Sequence, residues 1–114
     1  MKSLMFAGFL ALACAHASAA NFGYADTFSV DYVRVDNNGY GYVQFTAPLA
    51  GTPAACTQPD YAKVLSFDTN TAAGKAILAL VLQAKATDAK VFAKGTGDCP
   101  IYGVMEKWSW GYVQ

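Results

Sequence analysis

Histidine, arginine and glutamate are almost missing from this sequence. Its 114 residues hold one of each, at His16, Arg34 and Glu106. Charged residues make up 14% of the chain, eight basic against eight acidic, so the formal net charge is zero. A nucleic-acid binder of this size normally carries a basic face, because phosphate contacts supply much of its affinity. The lysines here do not cluster, which sets nucleic acid aside as a partner. Long apolar runs are also absent beyond the first residues. The longest, Leu4 to Ala13, falls short of the roughly 20 residues needed to cross a bilayer.

That run has another meaning. MKSLMFAGFLALACAHASAA places one lysine, an apolar stretch and then small residues in series, which is the layout of a secretory signal peptide at residues 1–20. Ala17-Ser18-Ala19 supplies the small-residue site, with cleavage after Ala19 or Ala20. A lipoprotein reading with Cys14 as the anchored residue is disfavoured, since Ala11 matches such a site poorly. The mature chain is then one domain of about 94 residues, in a secreted or periplasmic setting. His16 leaves with the leader, so no histidine remains for a triad or a metal site. Cys56 and Cys99 are left as an even pair in an exported chain, which reads as a disulfide.

The pattern along the mature chain is mostly strand. In TFSVDYVRVD, Phe28, Val30 and Tyr32 share one parity while Val33 and Val35 take the other, which predicts a bulge or sharp coil. Asn38-Gly39 between two alternating runs predicts a hairpin, with a second strand over Tyr40 to Ala47. A third strand is expected at Lys63 to Asp68. A helix then runs from an N-cap at Asn70 or Thr71 to Thr87. Ala73, Ile77, Leu80, Val81 and Ala84 form its apolar stripe, and Leu78 and Leu82 lie on a second side. In so small a domain, that second side reads as a face toward another subunit. Two more strands close the chain, the last through Pro100 to Val113. Strand, strand, strand, helix, strand, strand is the order of a five-stranded OB-fold barrel, mainly β, with its one helix between strands three and four.

The second half also carries a resemblance. The helix start D-T-x-T-A-A-G-K-A, the helix end L-x-A-K-A, the turn G-T-G-x-C and the aromatic closing strand cover Phe67 to Val113. Together they resemble exported bacterial proteins related to the B subunits of AB-type toxins, the subtilase-cytotoxin and pertussis-like families. The resemblance implies an OB-fold with a disulfide and a homo-oligomer, often a pentamer with its helices around a channel. It further implies cell-surface glycans as ligands, sialylated ones among them, and a catalytic A-type subunit as a further partner. It transfers no sugar-binding residue, because the first half of the chain does not follow the motif.

Candidate sites follow from residue chemistry. Catalysis is set aside by inventory, the acids being Glu106 and seven aspartates that sit mostly at turns and strand ends. No residue calls for a cofactor. Trp108, Trp110 and Tyr112 alternate on the last strand and are expected to share a face. Three exposed aromatics would exceed the apolar patch usual for a monomer, so they read as core or subunit interface. Oligomer-interface candidates are therefore Leu78, Leu82, Trp108 and Trp110. Ligand candidates are Arg34, Asn37, Asn38, Tyr40 and Tyr42, which combine aromatic faces with planar hydrogen-bonding groups. The expected function is glycan binding of the toxin B-subunit type; the alternative is an OB-fold module for a protein partner.

Overall fold

The computed structural model describes residues 21–114; the expected leader, with Cys14 and His16, lies outside the described residues. Strand β1 spans Gly23–Val35, β2 Tyr40–Phe45, β3 Ala50–Gly51 and β4 Val64–Asp68. Helix α1 follows at Ala72–Thr87, then β5 at Lys90–Gly95 and β6 at Trp108–Val113. Among the described residues the protein is mainly β with this one α-helix and a 3-10 turn at Pro59–Tyr61. The strands form one six-stranded antiparallel sheet in the order β4-β2-β1-β5-β6, with β3 pairing the start of β1. The two ends of that order meet at one parallel bridge, Ser66 with Lys107.

The hairpin is present, with a turn one residue longer than expected. Asp36 accepts a bond from the Gly39 amide and donates its own to the Tyr40 carbonyl, so Asn37, Asn38 and Gly39 make the loop. Only Gly39 takes positive φ, at 91°, where the lack of a Cβ matters. β1 carries two register shifts, one between Asp26 and Phe28 and one between Val30 and Tyr32. The parity switch read from the sequence is therefore real and falls at Asp31, which leaves Tyr32 outward and Val33 against the core. A bulge also corrects the last strand. Lys94 pairs Trp110 while Gly95 pairs Trp108, so Ser109 is an extra residue. Trp108 consequently turns inward to 4% exposure, whereas Trp110 and Tyr112 stay outside at 50% and 44%. The three do not share a face.

Thr71 caps α1, its hydroxyl accepting from the Gly74 amide at 2.9 Å. Gly74, Val81 and Ala84 are buried, and Ile77, Leu78 and Leu80 pack against the core. Ile77, Leu80, Val81 and Ala84 of the expected stripe face the core while Ala73 is exposed, and Gly74 and Leu78 widen that face. Leu78 is partly buried and packs against the protein's own core, whereas Leu82 stays outward, 49% exposed. Ala25, Val43, Phe45, Leu65, Phe67 and Val91 complete this main core.

A second, smaller core lies on the other face of β2 and β4, where Tyr42, Val64 and Met105 are covered by Tyr61, Tyr102 and Val104. Its cover is two loops, and Cys56–Cys99 ties one to the other as expected. Glu106 completes the fastening. Its fully buried carboxylate accepts from the backbone amides of Gly23, Ala54 and Gly97 at 2.9–3.0 Å. A Cβ at Gly95 would lie 1.9 Å from Glu106 Oε2, so this carboxylate fits only beside a glycine.

Candidate functional site: two aromatic surfaces

The hairpin end of the sheet gathers five tyrosines, and here the structure brings the expected ligand residues together. Arg34 Nε donates to Asp36 Oδ1 at 2.8 Å, and an Arg34 NH group reaches the Tyr42 hydroxyl at 3.4 Å. The Tyr102 hydroxyl donates to the other Asp36 oxygen at 2.6 Å. These bonds, Tyr102's first and Arg34's second, hold the Asp36 carboxyl below the ordinary carboxylate range. Burial, with the Asp36 carboxylate beside it, pushes the Tyr102 hydroxyl above the usual tyrosine value. Tyr42 meets Tyr32, Tyr61 and Tyr102 edge-on at 6.0–6.5 Å, and it is only 6% exposed. Tyr40 packs edge-on against Tyr102. Asn38 closes its own turn on the Tyr40 amide, its carbonyl takes a bond from Asn70, and Asn37 is exposed beside it. Arg34 Nε, the Tyr42 hydroxyl and the Asn38 side-chain oxygen are therefore engaged within the fold, while the Arg34 side chain stays 57% exposed.

The opposite situation holds on the outer face of β1, β5 and β6. Register places Tyr24, Lys94 and Trp110 side by side in one row and Asp26, Phe92 and Tyr112 in the next. Phe92 stacks on Tyr112 at 5.4 Å with planes 18° apart, and Trp110 lies 6.5 Å from Tyr112 at 20°. Tyr24 and Trp110 flank Phe92 at 5.9 and 5.7 Å. The Lys94 ammonium sits 4.3 Å from the Phe22 ring centre and 5.7 Å from that of Trp110. Tyr112 lies nearly parallel to both Phe92 and Trp110, while Tyr24 and Trp110 tilt 35° and 38° from Phe92, so the rings form an apolar surface with a cation and a carboxylate among them. None of the side-chain polar groups of Tyr24, Lys94, Trp110 or Tyr112 takes part in a hydrogen bond among the described residues.

A groove of about 410 Å³ lies between the first turn of α1 and the start of β6, walled by Phe67, Ile77, Ile101 and Trp108 with Asp68 and Lys107. It holds no grouped acids, thiols or imidazoles, and among the described residues no three such side chains gather to hold a metal.

Sequence reasoning missed Tyr24, Phe92 and Lys94. Tyr24 falls before the point where a strand was expected, at Thr27. Phe92 and Lys94 share parity in AKVFAK, and that signal gains meaning only once β5 is known to pair β6. No family model, curated protein sequence or solved structure matches this chain.

Proposed function

We propose that the protein is an exported, non-enzymatic glycan-binding module that holds sugars on the face built by Tyr24, Phe92, Lys94, Trp110 and Tyr112. The observation that carries this reading is the half-exposed Trp110 ring lying nearly parallel to Tyr112, with Phe92 stacked on the same tyrosine and tilted 38° from Trp110. A pyranose has one face of C–H bonds and a rim of hydroxyls. It needs a flat ring to cover the first and unengaged polar groups to meet the second, and both are available here. Lys94 adds a cation suited to the carboxylate of a sialylated glycan. The cluster around Arg34 is the weaker candidate, because Tyr42 is buried and the Asp36, Tyr102 and Tyr42 polar groups already have partners.

The strand order, the bulged β1, the helix between β4 and β5 and the Ser66–Lys107 contact all agree with a five-stranded OB-fold barrel to which β3 is added. That fold, the leader layout and the disulfide together fit the toxin B-subunit resemblance and an oxidising compartment. The second reading, a module for a protein partner, draws on Leu82, which stands exposed between Ala79 and Ala86. A glycan array probed with wild type and Trp110→Ala separates the two. Sugar binding that Trp110→Ala loses supports the first; a blank array with folded wild type moves the reading to a protein partner.

A further inference from the structure

Strand β6 has only one neighbour over most of its length. Gln114 donates its amide to the Lys90 carbonyl at 2.9 Å, so the residues of matching parity, Tyr112 and Trp110, also turn their backbone groups toward β5. The amides and carbonyls of Gly111 and Val113 then point away from the sheet, and no strand meets them among the described residues. Natural edges are usually blunted by lysine, proline or a covering element. Trp108–Val113 contains no charge and no proline. The edge at β4, by contrast, is engaged, since the Ser66 amide and hydroxyl both bond the Glu106 carbonyl.

We infer that the β6 edge pairs antiparallel with β6 of a second copy of this chain, across a two-fold axis at Tyr112. In that register Gly111 of each copy faces Val113 of the other, so the four outward groups on each edge are all matched. Tyr112 meets its own symmetry mate at the closer, non-hydrogen-bonded spacing, where aromatic pairs stabilise a sheet. An uncharged edge meets its copy without repulsion, and the row Asp26, Phe92, Tyr112 continues unbroken into the row of the partner. The half-exposed Trp110 and Tyr112 each offer on the order of 100 Å². That is far below the roughly 800 Å² per partner of a stable interface, so the dimer forms weakly and depends on concentration. The inference rests on backbone geometry and is independent of the sugar reading.

The test expresses the full sequence with export and purifies the oxidised product. Its mass by sedimentation, and amide exchange by NMR, are followed up to roughly 1 mM, the weak end of specific association. The expected result is a reversible rise from one chain to two, with the Gly111 and Val113 amides gaining protection as concentration rises. Val113→Pro removes an outward donor and no bond to β5, and is expected to stay monomeric. Tyr112→Lys places two cations opposite each other and should do the same; it carries the test if the proline variant fails to fold. A single-chain mass at every concentration overturns the proposal. So does association that persists in Tyr112→Lys, or that leaves the two amides unprotected.

Discussion

The two aromatic surfaces have similar composition and opposite bonding. At the hairpin end, the tyrosine rings meet edge to face, Tyr102 and Tyr32 donate to Asp36 and Gln44, and Arg34 is paired. Two loops fastened by a disulfide cover them. On the β1–β5–β6 face, Phe92 and Trp110 each lie nearly parallel to Tyr112, Trp110 and Tyr112 stay half-exposed, and their polar tips are unengaged among the described residues. Tyrosine alone therefore marks neither a core nor a site. What separates the two is whether hydroxyl and ring face already have neighbours, since a satisfied polar group gains little from a ligand.

Breaking the closed side should give the largest effect. Glu106→Ala strands three backbone amides in the interior, at about 1–3 kcal/mol each. A loss of about 4 kcal/mol or more in denaturant unfolding is expected, with Glu106→Gln intermediate. The Cys56→Ala, Cys99→Ala pair comes next. Its ends are separated by 43 residues, so roughly 4 kcal/mol is lost in the chain-entropy account, less if the reduced chain stays compact. In both cases sugar binding per folded molecule should hold, because the open face contains none of these residues. Trp110→Ala reverses the pattern. Affinity for the glycan should fall at least tenfold, or about 1.4 kcal/mol, while the unfolding midpoint moves little, as for other exposed side chains.

The smallest effect sharpens the contrast through pH. Asp36 sits below its ordinary value, so its contribution is present above about pH 4 and fades as pH falls through the lowered value. Tyr102 is raised, so its contribution holds below about pH 10 and fades only as pH climbs through the higher folded value. Ultraviolet titration should find a tyrosine that resists ionisation. Asp36→Asn should reduce that resistance without abolishing it, because burial is the larger cause.

Several of these features were legible in the sequence because local rules produce them. The Asn38-Gly39 hairpin, the Thr71 cap and the disulfide follow from turn chemistry, capping and cysteine parity. The direction of Trp108 was not legible, since one inserted residue at Ser109 inverts every parity argument before it. The helix stripe was legible apart from Ala73, but its full width was not. Gly74 and Leu78 face the core, yet a glycine contributes nothing to an apolar stripe. Of the open face, only Trp110 and Tyr112 stood out, because the rows that join Tyr24 and Lys94 to them are set by pairing between distant strands. Glu106 gave no pattern at all. Its partners are backbone amides, which every residue except proline possesses.

That carboxylate also orders events in time. It follows its three donors by 83, 52 and 9 residues along the chain. While the polypeptide emerges from a ribosome or a pore, Gly23, Ala54 and Gly97 wait without their acceptor until position 106 arrives. The start of β1 and both covering loops thus cannot be fastened piecemeal, and closing such long loops is slow. A chain that locks this late stays unfastened for most of its synthesis.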